Sequence, residues 1–121
     1  MTREPIVGGC TFNRWRYATW PLVWATVEDR GILIGARIWP VLRFGFLDVD
    51  RSLIEFSRQD RSALILWASV RSIELRRPNE LELTMVDGWN LKFGSMSAPL
   101  HRLVAEAHSH MPSSSRGTHD A

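Results

Sequence analysis

Apolar and polar side chains alternate along much of the chain between Thr19 and Phe93, and this period of two predicts short β-strands. The first clear pair of strands lies in the stretch TWPLVWATVEDRGILIGARIW, where Gly31 closes the turn EDRG. A four-residue loop imposes a register that pairs Val27 with Ile32, Ala25 with Ile34, and Val23 with Ala36. Because this register gathers small and β-branched side chains, we predict that this face lies in the core.

The opposite face of the same hairpin is also apolar, although a half-buried strand usually shows a polar face to water. This face carries Trp20, Leu22 and Trp24 on the first strand, and Leu33, Gly35, Arg37 and Trp39 on the second. Trp24 is predicted to lie over Gly35, and Arg37 is expected to point away from a core because charged side chains are rarely buried. The tryptophan face is therefore the outer one, and the candidate interaction surface consists of Trp20, Trp24, Trp39 and Arg37.

The middle of the chain predicts further strands. Residues 41–47 and 53–57 alternate over short runs and flank the turn DVDR. The segment ALILWASVRSIELRR is long for one strand, so we expect it to bend near Ala68 and Ser69. In LELTMVDGWNLKF, a three-residue loop with a left-handed Gly88 places Leu83 opposite Leu91 and keeps the apolar set on one face.

The C-terminal part predicts one amphipathic helix. Its apolar stripe recurs at helical spacing and consists of Leu100, Leu103, Val104, Ala107 and Met111. Ser97 is the predicted N-cap, Pro99 fits the first turn and Pro112 ends the helix. The domain is predicted to span residues 19–111, between an N-terminal segment 1–18 that is partly loose or a short strand and a polar tail 112–121 that we predict to be disordered.

This order of about seven short strands and one helix resembles the pleckstrin-homology (PH) superfold. The passages ATWPLVWATVEDRGILI, ILWASVRSIEL and LTMVDGWNLKFGS are similar to those of small bacterial PH-like proteins. The resemblance implies an α+β, mostly β fold, a partly open barrel of antiparallel strands closed by the C-terminal amphipathic helix. Members of the superfold bind phosphoinositides, peptides or other domains. The lipid-binding branch has a basic first hairpin, whereas this hairpin has Arg30 and Arg37 beside Glu28 and Asp29 and no lysine, so no binding residue is carried over.

Charge and cysteine content narrow the function classes. The formal net charge is +2, and the arginines alternate with acidic residues, so no face collects the positive charge that a nucleic-acid groove needs. Cys10 is the only cysteine and cannot form an intramolecular disulfide, which favours a reducing compartment. The first residues have no apolar run of the secretory type, and we expect a cytoplasmic location.

No residue pattern indicates catalysis, a metal or a cofactor. His101 and His108 share a helix face, but they stand about 10 Å apart at the rise of an α-helix, too far to share one ion. The sequence HSH, His108 to His110, lies near the predicted helix end and is interpreted as solvated polar surface or as a cation favoured by the helix dipole, and His119 lies in the polar tail. The carboxylate pairs Asp48 with Asp50 and Glu80 with Glu82 lie beside turns, where water competes with acid–base chemistry. We therefore predict no enzyme and no small-molecule substrate.

Six tryptophans are the unusual feature of the composition. Trp67 and Trp89 fit core faces, which leaves the candidate interaction surface to be explained. Either the N-terminal segment covers it, through Trp15 or Tyr17, or it is an exposed patch flanked by arginines at positions 14, 16 and 37. We predict a non-enzymatic interaction module that binds a protein partner or a second copy of itself. The alternatives are a peripheral binder of anionic lipid and a small enzyme of unknown reaction.

Overall fold

The computed structural model describes residues 5–14, 16–96 and 99–111; of Trp20 it describes the backbone alone. Antiparallel strands dominate the described chain, and two helices accompany them. In chain order the elements are β1 (Ile6–Phe12), β2 (Arg16–Val27), β3 (Gly31–Ala36), α1 (Trp39–Gly45), β4 (Ile54–Ser57), β5 (Ser62–Leu66), a 3-10 turn (Trp67–Ser69), β6 (Val70–Arg77), β7 (Glu80–Met85), β8 (Asn90–Gly94) and α2 (His101–His110).

All strands belong to one antiparallel sheet of order β4-β5-β3-β2-β1-β8-β7-β6, which is not closed. The fold is α+β and mostly β, as predicted, and the described residues contain eight strands in place of about seven. The additional strand is β1, which lies in the middle of the sheet between β2 and β8 and pairs Cys10 with Phe93. Residues 6–12 are therefore not loose, and the predicted domain start at residue 19 falls within β2.

Both predicted hairpin registers are confirmed. In the first hairpin, Val27 pairs with Ile32 and Val23 with Ala36. In the second, Leu83 pairs with Leu91, and Gly88 has a φ of +94° in the three-residue loop. The long middle segment bends at the 3-10 turn, as predicted, so that β5 and β6 lie at distant positions in the sheet.

A large bulge interrupts β2. Gly8 pairs with Val23 while Cys10 pairs with Ala18, so β2 has three more residues than β1 in this interval. Pro21 lies in the bulge, where the ladder does not require its missing N–H. Ala18 and Val23 both face the core although they are an odd number of residues apart, which a regular strand would not allow. The bulge between them, with its odd number of extra residues, shifts the alternation of the side chains.

The predicted strand over residues 41–47 is wrong, since Trp39–Gly45 forms the short helix α1. Pro40 stands in its first turn, where a missing N–H costs nothing. Leu42 and Phe46 are buried in the core, one helical turn apart. At Gly45 the helix lies so close to β1 that a Cβ would be 2.7 Å from the ring of Phe12. Gly45 therefore lets α1 pack directly on β1.

Helix α2 packs against β6, β2 and β3, and its predicted apolar stripe is confirmed. Leu103, Val104 and Ala107 are buried, as are Leu100 and Met111 at the two ends. Helix α2 begins at His101 with Leu100 as its N-cap, so Pro99 precedes the helix, and the prediction that it lies in the first turn is wrong. The predicted cap Ser97 and the tail 112–121 lie outside the described residues. Trp67 and Trp89 are core residues, as predicted.

Candidate binding surface beside the first helix

The structure places Trp24 and Trp39, two members of the candidate interaction surface, in different elements. Trp24 is half-buried on the outer face of the sheet and covers Gly35, where a Cβ would lie 1.9 Å from the indole. Arg37 is exposed, as predicted. Trp39 does not continue β3 but begins α1, and its ring meets Phe56 edge to face with 6.0 Å between the centroids. The side chain of Trp20 lies outside the described residues.

An apolar strip remains on the outer face of the sheet around Trp24. Val7 is the β1 partner of Trp24, and Leu33 pairs with Leu64 on the neighbouring strands. All four side chains are half-buried. Tyr17 does not cover them, because it is 71% exposed, and β1 lies beside β2 in the sheet rather than over its face. The proposed cover Trp15 lies outside the described residues.

A cavity of about 460 Å³ lies beside Trp39, between α1 and β4. Its apolar wall is aromatic and consists of Trp39, Phe46 and Phe56. Phe46 lies 6.0 Å from Phe56 between ring centroids and stacks on Trp89 at 5.1 Å. Since Phe46 and Trp89 are core residues, the aromatic wall is anchored in the hydrophobic core.

Three arginines line the same cavity, namely Arg43 on α1, Arg51 on the following loop and Arg58 after β4. All three are exposed, and the guanidinium carbon of Arg51 lies 5.2 Å from the ring centroid of Phe56. Within the described residues, none of the three forms an ion pair with a carboxylate. The cavity therefore combines aromatic surface with uncompensated positive charge.

The carboxylates nearest in sequence to these arginines have other partners. Asp50 accepts hydrogen bonds from the backbone N–H and hydroxyl of Ser52, both at 2.9 Å, and these bonds lower its pKa. Glu55 pairs with Arg30 at 2.6 Å. Asp60 accepts a hydrogen bond from the hydroxyl of Ser57 at 3.0 Å. Because these carboxylates bind other residues, the guanidinium groups of Arg43, Arg51 and Arg58 remain available to a ligand.

Exposed apolar side chains form the rim of the cavity. Phe44 is 54% and Leu47 67% exposed, and both line it. Ile38, which precedes α1, is 54% exposed. We call Trp39, Arg43, Phe44, Leu47, Arg51 and Arg58 the α1 surface. Large apolar groups beside arginine are characteristic of interaction sites, so the α1 surface is a stronger candidate than the separated tryptophans.

Asp48 holds the loop after α1 in place. Its carboxylate accepts hydrogen bonds from Asn13 Nδ2 at 2.7 Å, from Trp89 Nε1 at 2.9 Å, and from the guanidinium of Arg16. Burial alone would raise the pKa of Asp48, but the hydrogen bonds from Trp89, Asn13 and Arg16 outweigh it and hold the pKa below its usual value. Asp48 therefore acts as a fixed anion that positions the α1 surface.

One of the two alternatives for the tryptophan face had Arg16 flanking an exposed patch, and for Arg16 this alternative is wrong. It is 3% exposed, and besides Asp48 its guanidinium donates a hydrogen bond to the carbonyl of Gly45 at 3.2 Å. The guanidinium also lies 5.7 Å from the ring centroid of Phe44. Arg16 thus connects β2 to the end of α1. Its burial is tolerated because the Asp48 carboxylate compensates its positive charge and the Gly45 carbonyl accepts a hydrogen bond from it.

Among the remaining acidic and histidine candidates, Glu82, His108 and His110 have structural partners. Glu82 accepts hydrogen bonds from Arg76 and, at 2.6 Å, from Asn90, and the pKa of Glu82 lies below its usual value, mainly because of Arg76. His108 Nε2 lies 2.7 Å from the carbonyl of Ile73, and the His110 ring stacks on Trp67 at 5.5 Å. His119 lies outside the described residues.

Metal and thiol chemistry receive no support from the described part of the chain. Within residues 5–14, 16–96 and 99–111, no three side chains of the metal-binding types come together. Cys10 is buried, and burial raises the pKa of its thiol far above the usual range. A buried thiol with a raised pKa is not a reactive nucleophile.

Comparisons with known proteins found no match: no protein-family model, no curated protein and no solved structure matches the chain. Neither helix of the described part has the length and apolar character needed to cross a membrane.

Sequence reasoning missed the cavity because it interpreted residues 41–47 as a strand. A signal was present in IWPVLRFGF, where Pro40 is followed by apolar residues at 42 and 46, four apart. A helix there would have placed Arg43 and Leu47 on one side, four residues apart. The arrival of Arg58 at the same place depends on the return of β4 along β5, which no local pattern encodes.

Proposed function

We propose that this chain is a non-enzymatic interaction module of PH-like architecture that binds a protein partner through the α1 surface. The PH-like assignment is supported by the succession of antiparallel strands, by the pairing of the first strand with the last, and by the C-terminal helix that packs on the sheet. Within the described residues we find no arrangement of catalytic groups that favours the enzyme alternative over this proposal.

The observation that carries the proposal is the coincidence of exposed apolar side chains and uncompensated arginines at α1. Phe44 and Leu47 are more than half exposed and stand beside Arg43 and Arg51. Apolar area supplies affinity when it is buried by a partner, and guanidinium groups recognise carboxylates with two parallel hydrogen bonds. The favoured partner segment therefore has an aromatic or aliphatic side chain flanked by Asp or Glu.

A second copy of the chain is a poorer occupant of the α1 surface. A two-fold contact brings the same patch of both copies together, so Arg43 and Arg51 would face their own counterparts. Like charges in such a contact are unfavourable. Self-association fits the uncharged strip around Trp24 better, because Val7, Leu33 and Leu64 bring no charge to a symmetric contact.

Selection from a display library of random peptides on the immobilised protein tests the proposal. We expect enrichment of sequences in which acidic residues flank an apolar one. The selected peptides should lose about tenfold or more in affinity for Phe44→Ser and Leu47→Ser, since each of these removes an exposed anchor. Met96→Ser is the matched control, because Met96 is 80% exposed and is not part of the α1 surface.

Two outcomes would overturn the proposal. One is a set of selected peptides that bind the two α1 variants as well as the wild type. The other is the absence of enrichment together with sedimentation of the protein with vesicles containing phosphatidylserine, in a manner abolished by Leu47→Ser and by moderate salt. That result would support the peripheral anionic-lipid alternative, in which Phe44 and Leu47 insert among the headgroups.

A further inference from the structure

We propose that the cavity beside α1 is a binding site for a small organic phosphate with an aromatic body. This inference goes beyond the proposed function, because it concerns a small ligand inside the cavity; it shares Arg43 and Arg51 with that function but does not use the exposed apolar side chains Phe44 and Leu47. The volume of about 460 Å³ lies within the range of roughly 300–1,000 Å³ in which proteins hold small molecules.

The aromatic wall determines the body of the ligand. Trp39 and Phe56 meet at an interplanar angle of 85°, so that the edge of one ring faces the other. Two rings at right angles form a corner in which a third flat ring can stack on one and meet the other edge to face. Phe46 closes the base of this corner and is itself held by Trp89. The wall is therefore preorganised for an aromatic group.

The arginines determine the charged group. Three arginines line the cavity from three different segments of the chain, and within the described residues none of them forms an ion pair with a carboxylate. A phosphomonoester has three acceptor oxygens and close to two negative charges at neutral pH, whereas a carboxylate has two oxygens and one charge. A phosphomonoester thus matches the positive charge and the N–H donors of the three arginines better than a carboxylate does. Arg binds phosphate in a bidentate geometry.

Calorimetric titration of the full chain with phenyl phosphate tests the inference. We expect phenyl phosphate to bind about tenfold or more tightly than inorganic phosphate, which lacks the ring, and than benzyl alcohol, which lacks the charge. Binding should weaken as the pH falls below about 6, because the phosphate then loses its second charge while the arginines keep theirs. Benzoate, whose charge does not change in that range, is the comparison for the pH profile.

Charge-removing variants locate the site. Arg43→Gln and Arg58→Gln should each lower the affinity for phenyl phosphate by about tenfold, since each removes a charge-assisted contact. Arg102→Gln removes the same charge from an exposed position on α2 and should leave the affinity unchanged. All three side chains are exposed, so a thermal melt of each variant is expected to match that of the wild type.

The inference is overturned if phenyl phosphate binds no better than inorganic phosphate, or if Arg102→Gln has the same effect as Arg43→Gln. It is also overturned if vesicles containing phosphatidic acid bind in an Arg43-dependent manner that phenyl phosphate does not compete, because the ligand is then a lipid phosphate without the ring. These results differ from failure of the proposed function, which is measured with peptides and with the rim variants at Phe44 and Leu47.

Discussion

Single residues that receive several hydrogen bonds fix the α1 surface in space, and Asp48 is the clearest case. It connects the turn before β2, the buried Arg16 and the core tryptophan Trp89 to the loop after α1. A polar residue with this many partners has a large effect when it is changed, because each partner then loses an acceptor in a partly dry site.

Asp48→Asn is expected to destabilise the protein at neutral pH by about 1–3 kcal/mol, toward the lower end because the Asp48 side chain is 40% exposed. The pKa of Asp48 is lower in the folded protein than in the unfolded chain. Its stabilising contribution is therefore fully present above the unfolded pKa of about 3.9 and is lost as the pH falls through the folded value.

Urea unfolding of the wild type and the variant at a series of pH values measures this effect. The difference in unfolding free energy should narrow as the pH is lowered below about 4. Asp29→Asn, at an exposed turn position, serves as the control. A difference that stays constant with pH would show that Asp48 stabilises the fold by shape rather than by charge.

Gly88 is expected to be sensitive for a purely conformational reason. Its φ is +94°, and a Cβ there would meet no atom within 4 Å. Gly88→Ala should therefore cost roughly 1 kcal/mol through backbone strain alone, and Gly88→Asn should cost less because Asn tolerates positive φ better. Thermal melts compare the two variants, and equal melts for both would contradict the strain argument.

At the scale of elements, the sequence predicted those parts of the fold that local patterns encode. The hairpin registers follow from loop length and from the need to keep Val23 and Leu83 on buried faces. The stripe of α2 follows from helical spacing. The short α1 was missed because seven residues contain too few turns to show a period clearly, and Val41 and Phe44 also favour strands.

Substitutions on the buried and on the exposed face of α2 should differ in their effect on the free energy of unfolding. Leu103→Ala is expected to lower the unfolding free energy by about 2–4 kcal/mol, because Leu103 is buried against the sheet and its loss leaves a cavity. His101→Ala, on the exposed side of the same helix, should change it little. Chemical denaturation of both variants gives the comparison, and a larger effect for His101 would show that the helix faces the other way.

At the scale of the whole molecule, β1 joins the two parts of the sheet. It pairs with β2 on one side and with β8 on the other, which places the N-terminal strand at the centre. The sequence did not reveal this, because Gly8 and Gly9 weaken the strand signal. Gly8 has a packing reason: a Cβ there would lie 2.1 Å from the carbonyl oxygen of Gly94.

Gly8→Ala should therefore separate β1 from β8. We expect a loss of roughly 1–3 kcal/mol, since a backbone atom and not a flexible side chain must move. Gly94→Ala is the matched control across the same contact, because its Cβ would meet Asn79 O at an ordinary 3.6 Å. Hydrogen exchange should become faster at β1 and β8 in Gly8→Ala only. Unchanged protection there would contradict a tight β1–β8 contact.

Most of the candidate site could not be predicted from the sequence either, because residues far apart in the chain form it. Trp24 over Gly35 was predictable from the hairpin alone. The meeting of Arg43, Arg51 and Arg58 at one cavity was not, because it requires the position of α1 against β1 and the return of β4 along β5. Burial of Arg16 was likewise unpredictable, since its partner Asp48 lies 32 residues away.

The central position of β1 also has a consequence for synthesis on the ribosome. β1 precedes the other described strands in the chain, and β8, its partner on one side, is the last of them, so β8 is translated well after β1. While the intervening residues are being added, one edge of β1 has unpaired N–H and C=O groups, and such an edge can pair with another chain. Until Asn90–Gly94 have left the exit tunnel, this edge of β1 stays open to such pairing, so slow translation of the residues between β1 and β8 would lengthen the exposure.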